Sequence, residues 1–162
     1  MTQRRMCTAD ELRVTDPFLC ESSRMELDYL MSLRPARLLA GFRATAGLPA
    51  RAPRYGGWES LDIQGHTMGH WLTAMSQAWQ LTRRADVLAR MEEAVEGLSV
   101  CQRADGYLFA SPEALFDRLE RGEEAWVPWY TMDKVLSGLL AAAELTPCAR
   151  AETVLRRLAD WI

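Results

Sequence analysis

Apolar positions recur at intervals of three and four along almost the whole chain, the period of an amphipathic helix. A first helix is expected over residues 18–33 and a second over residues 35–46. Pro35 suits a first helical turn, and Gly47 suits the position just past a helix end. The stretch LPARAPRYGG, broken by two prolines and two glycines, reads as a loop. A third helix begins near Gly65, with Met68, Trp71, Leu72, Met75 and Trp79 on its stripe. A fourth carries Val87, Leu88, Met91, Val95 and Leu98. RADGYLFAS then turns the chain at its Asp-Gly pair. Ser111-Pro112-Glu113 reads as an N-cap followed by proline at the first helical position, opening a short helix to Leu119. RGEEAWVPW reads as a loop, and the next helix carries Val135, Leu136, Leu139 and Leu140. Thr146-Pro147 is expected to cap a last helix with Val154, Leu155, Leu158 and Trp161 on its stripe. No stretch keeps a period of two for long. The expected fold is all-α, about seven helices joined mainly by short loops.

Composition narrows the class without changing that picture. The chain has 162 residues, 49% hydrophobic and 25% charged, which suits one globular domain over residues 1–162. Its net charge of -3 advertises no surface for nucleic acid or anionic membrane. No apolar run reaches the roughly eighteen residues of a membrane span, and the basic start lacks the apolar stretch of a signal peptide. Cys7, Cys20, Cys101 and Cys148 form no CxxC pair, so buried free thiols in a reducing cytoplasm are expected.

Chemistry concentrates in YGGWESLDIQGHTMGH, residues 55–70, which holds both histidines of the chain. His66 and His70 lie four apart on a polar strip with Thr73 and Gln77, opposite the apolar stripe of the third helix. They stand at its N-terminal end, where free N–H groups favour oxygen acceptors. Three readings are open: a zinc pair, polar contact with a ligand, or capping and packing. HTMGH lacks the glutamate that follows the first histidine in HExxH helices, and no third ligand site is evident.

A second segment, WVPWYTMDKVLSG, also runs from an aromatic loop into a helix start. Trp126, Trp129 and Tyr130 precede Asp133, with Ser137 one turn later. In a helical toroid the two loop ends would face one cavity. Aromatic rings stack on the C–H faces of sugars while polar tips pair with hydroxyls. Trp58 and Trp129, in polar loops, are the better candidates; Trp71, Trp79 and Trp161 lie on apolar stripes. Glu59 and Asp133 are conceivable as the two carboxyl groups a glycosidase needs, though solvation is the commoner fate of each.

Five segments in this order, RMELDYLMSLRPARLLAGFRATAGLPA, YGGWES, GHTMGHWLTAM, CQRADGYLFASPE and VPWYTMDKVLSGLL, closely resemble the N-terminal part of the glycoside hydrolase family 127 and 146 group, the β-L-arabinofuranosidases and their relatives. The resemblance runs from about Leu12 to the end. It implies part of an (α/α)6 toroid that carries a retaining exo-glycosidase site. In that group a cysteine thiolate is the nucleophile, a glutamate the acid/base, and a zinc ion tunes the thiolate. Those residues lie downstream of the motifs present here, so no catalytic residue, metal ligand or cofactor is carried over to this chain. What carries over is a sugar-contacting rim. Trp58 and Glu59 match the Gly-Trp-Glu turn, and His66 and His70 match the Gly-His-Thr-x-Gly-His helix start. Gln102 and Tyr107 match the Gln-then-Gly-Tyr turn, while Trp129 and Tyr130 match the Pro-Trp-Tyr-Thr loop. Asp133 stands where relatives usually have histidine, which implies an altered subsite.

A twelve-helix toroid needs on the order of 350 residues, so this chain is expected to supply its first half. The resemblance thus implies an N-terminal segment of a glycosidase, inactive alone, whose partner is an arabinofuranose-type carbohydrate. The alternative is a helical interaction module that pairs with itself or with a separately encoded second half, because inner helices would otherwise leave an apolar flank open.

Overall fold

A computed structural model describes residues 11–162. Its helices are α1 (Pro17–Ser32), α2 (Pro35–Leu38), α3 (Ala40–Thr45), α4 (His66–Thr82), α5 (Ala85–Cys101), α6 (Ala114–Glu120), α7 (Pro128–Leu145) and α8 (Ala149–Trp161). Gly57–Ser60 adds one 3-10 turn, and no strand occurs among the described residues.

Local chemistry sets some of the helix ends. Asp16 caps α1, its Oδ1 accepting the Leu19 N–H at 3.0 Å, and Pro17 fills the first position. The expected second helix is split into α2 and α3 at Leu39. Gly47 ends it at φ 69°, with the Leu48 N–H returning to the Arg43 carbonyl at 2.8 Å. Ser111 is not an N-cap. It is buried, its hydroxyl receives the Gln64 side-chain N–H at 3.1 Å, and α6 starts later, at Ala114. Thr146 bridges α7 and α8 by donating to the Ala142 carbonyl at 2.5 Å and accepting from the Cys148 N–H at 3.3 Å.

Two helical hairpins stack side by side. In α4–α5 and α7–α8 the chain goes out and back. Helices α4 and α7 run parallel, as the pairings Ile63–Thr131 and Leu72–Gly138 show. Helices α5 and α8 run parallel beside them, with Glu96 paired to Arg150 and Gln102 bonded to the Val154 carbonyl. This arrangement is consistent with a partial α/α barrel. The stripes meet in one core: Met68, Leu72 and Met75 of α4, Met91, Val95 and Leu98 of α5, Val135 and Leu139 of α7, and Leu158 of α8. Each such side chain contributes about 1.5–3 kcal/mol on burial. Helices α2 and α3 cover α5, where Gly97 leaves room for Leu39. Helix α1 is tied on by the Trp71 indole N–H, which donates to the Leu30 carbonyl at 2.9 Å.

Of the expected buried thiols, Cys101 and Cys148 are buried and free, but Cys20 is exposed because only Leu27 of α1 is fully buried. Cys7 lies outside the described residues. Burial pushes the Cys101 thiol up to about 11 and the Cys148 thiol in the same direction. Among the described residues, no helix is long and apolar enough to cross a membrane.

Candidate functional site

The parallel packing of α4 and α7 brings their N-terminal ends together. Two glycines allow it. A Cβ on Gly69 would run into the Lys134 backbone carbonyl, and one on Gly138 would lie 2.5 Å from the Gly69 oxygen. With no side chains between them, the backbones touch, and the loops before each helix become neighbours.

One carbonyl joins the two mouths. The Ile63 oxygen accepts from the His66 backbone N–H at 3.3 Å and lies 2.9 Å from the His66 Nδ1. It also accepts from the buried Thr131 hydroxyl at 3.3 Å. The first turns of α4 and α7 are therefore held by the same oxygen.

Glu59 closes the end of α4. The N-cap residue, Gly65, sits at φ 97° and has no side chain to cap with. Glu59 reaches in from the 3-10 turn instead. Its Oε2 accepts the Gly65 N–H at 2.8 Å and its Oε1 the Thr67 N–H at 3.1 Å. A carboxylate on free N–H groups at the positive end of a helix dipole is a favourable charge-assisted arrangement. The same Oε1 is 3.0 Å from the His66 Nδ1.

The turn that delivers Glu59 is clasped from below. Arg37 lies 3.9 Å over the Tyr55 ring and donates to the Pro53 carbonyl at 3.0 Å. The Tyr55 hydroxyl accepts the Arg34 backbone N–H, and Arg54 donates to the Gln64 side chain at 2.6 Å.

Around this frame stand exposed aromatic rings. Trp58 is 62% exposed, with its ring 6.0 Å from His66 and 6.3 Å, edge-on, from Trp126. His66 and His70 are edge-to-face at 6.0 Å. His70 Nε2 is 3.3 Å from the Tyr130 hydroxyl. Desolvation, then repulsion from His66 and Lys134, holds His70 below the usual histidine range, while Asp133 pulls it back up. The imidazole therefore stays neutral at neutral pH. Asp133 is exposed and bonded to the Lys134 ammonium at 2.9 Å, and that ammonium lies 4.9 Å over the Tyr130 ring. Trp129 keeps half its surface exposed and packs against Phe116 at 4.8 Å. Val127, just before α7, takes φ 45°, a conformation rarely adopted by a β-branched residue.

Seven of the nine sequence-derived candidates thus lie at or beside the joined mouths: Trp58, Glu59, His66, His70, Trp129, Tyr130 and Asp133. Gln102 and Tyr107 do not. The Gln102 amide donates to the Gly106 carbonyl at 2.9 Å and the Val154 carbonyl at 3.0 Å, pinning the turn to α8. Tyr107 is buried; its hydroxyl donates to the Ser111 carbonyl at 2.6 Å and its ring packs 4.8 Å from Trp161. Two features are added by the fold. Trp126 stands in the sequence as an aromatic of the second loop, and its contact with Trp58 comes from packing. The Ile63 carbonyl left no signal, since every residue has one.

Among the described residues no three His, Cys, Asp or Glu side chains are grouped to hold a metal ion. The zinc that the resemblance implies is assigned to none of the described residues. No curated protein matches the chain. A family model, the β-L-arabinofuranosidase GH127 catalytic domain, matches residues 11–162. The chain belongs to that glycoside hydrolase family.

Proposed function

We propose that the joined mouths of α4 and α7 form one wall of a sugar site that takes an arabinofuranose-type residue. The observation that carries this reading is the pairing of exposed rings with polar tips on one frame. Trp58 offers a flat face beside His66, and Tyr130 offers a hydroxyl beside His70. Rings of this kind stack on C–H faces, and the imidazoles and phenol pair with hydroxyls. A neutral His70 can both donate and accept. Asp133 and the Lys134 ammonium add a charged pair at the edge of the wall, where the family usually has histidine. Gln102 and Tyr107 act from behind, fixing the turn between α5 and α6.

The wall binds and orients; it does not supply the chemistry. Glu59 spends its oxygens on the helix end, and Asp133 is paired with Lys134, so the two are not a catalytic carboxyl pair. The two buried cysteines, with thiols held protonated, are poor nucleophiles. The 162-residue chain is accordingly expected to bind the sugar weakly and to release none from an aryl β-L-arabinofuranoside. Titration with L-arabinose and a methyl arabinofuranoside, followed by tryptophan fluorescence, tests binding. A response that Trp58→Ala leaves unchanged would overturn the assignment of the wall. Turnover by the chain alone would overturn its non-catalytic role.

A further inference from the structure

The geometry points to Glu59 as a positioning residue that locks His66 into a single tautomer, with the proton on Nδ1 and an acceptor lone pair on Nε2. The inference deepens the sugar-wall reading and rests on it for the ligand. The His66 Nδ1 lies 2.9 Å from the Ile63 carbonyl and 3.0 Å from a Glu59 oxygen. Both neighbours are acceptors, so this nitrogen must carry the hydrogen. The carboxylate cannot turn away, because its two oxygens also receive the Gly65 and Thr67 N–H groups. Its side chain is only 12% exposed, which keeps competing water out.

The consequence falls on the other ring nitrogen. Among the described residues His66 Nε2 has no protein partner, and the ring neighbours both Trp58 and His70. In the neutral ring, Nε2 can only accept. It therefore selects a ligand group that donates, such as a sugar hydroxyl, and disfavours a carbonyl, ether or carboxylate oxygen at that point. Glu59 does not touch the ligand in this scheme. It sets the polarity of the residue that does, in the way a second carboxylate orients a ligating imidazole.

With two histidines in the chain, the test is direct. Long-range 1H–15N imidazole spectra of the full chain, assigned with His70→Gln, report the tautomer of each ring at a pH where it is neutral. The expected result is an Nδ1–H pattern for His66, lost toward the Nε2–H form or a mixture in Glu59→Gln. A cap or packing role alone would leave the tautomer unmoved in a folded Glu59→Gln protein. An Nε2–H pattern for wild-type His66 would overturn the proposal without any variant, as would an unchanged pattern in Glu59→Gln. Adding L-arabinose separates the two readings. If the tautomer is as expected but no His66 resonance moves at any sugar concentration, the sugar wall fails and the Glu59 lock stands.

Discussion

The carbonyl oxygen of Gly69 lies so close to Gly138 that a Cβ on Gly138 would stand 2.5 Å from it. This contact sets the distance between α4 and α7, and with it the distance between the two aromatic loops. Gly69→Ala puts a methyl against the Lys134 backbone, which cannot move without displacing the whole helix. Overpacking of a tight interface costs about 1–3 kcal/mol and more when only backbone can yield. Gly69→Ala and Gly138→Ala should each destabilise the chain by about 3 kcal/mol, read from the urea midpoint. A loss below about 1 kcal/mol would mean that the helices are not in backbone contact.

Trp58→Ala and Tyr107→Phe should separate binding from stability. Trp58 is largely exposed, so its removal should change stability by less than about 1 kcal/mol while abolishing the sugar-induced fluorescence change. Tyr107→Phe leaves the buried Ser111 carbonyl without its donor, at a cost of about 1–3 kcal/mol, and should leave sugar binding unchanged. Paired urea denaturation and sugar titration of the two variants distinguish rim from core.

Thiol chemistry should follow burial. In the native chain Cys20 should react with a thiol reagent at pH 8, and Cys101 and Cys148 only after unfolding, as read by mass spectrometry of labelled peptides. The Cys101 thiol has a folded-state value of about 11, above the ordinary thiol near 9. The unfolded chain therefore ionises first as pH rises. Cys101 supports the fold below about pH 9, and that support is lost between about 9 and 11. Cys101→Ser should flatten this part of the pH–stability curve.

His70 carries the opposite sign on the acid side. Its folded value lies below the ordinary histidine range, so the unfolded chain takes up the proton first as pH falls. Its support is complete above about pH 6.5 and is lost as pH drops through the lowered folded value. Asp133→Asn removes a neighbouring charge that raises it, so His70 should titrate at still lower pH, measured by NMR. An upward shift in that variant would contradict the arrangement of His70, Asp133 and Lys134.

The helices were legible because burial imposes a period. Met68, Leu72 and Met75 face a core, and their three-and-four spacing is written in the chain. Caps were read less well. Ser111 has the right residue type for an N-cap, but its hydroxyl is taken by Gln64, which is 47 positions away in sequence. Competition from a distant partner has no local signature. The same holds for Tyr107. Its place in the motif CQRADGYLFASPE suggests a rim, whereas packing against Phe116 and Trp161 puts it in the core.

The sequence alone determined an all-helical chain, the family it belongs to, and the two segments where aromatic and polar residues gather before a helix. Periodicity and short motifs carry that information, since each depends on neighbours along the chain. Only the tertiary structure decided that the segments meet, and what each residue does there. Contact between Gly69 and Gly138 joins helices α4 and α7, and a single backbone oxygen, that of Ile63, ties their first turns. Glu59, which the sequence presented as a group for the ligand, is directed onto the end of α4 because Gly65 has no side chain to cap it. Distances between residues remote in sequence come from packing, and packing gives His66 its fixed carboxylate partner.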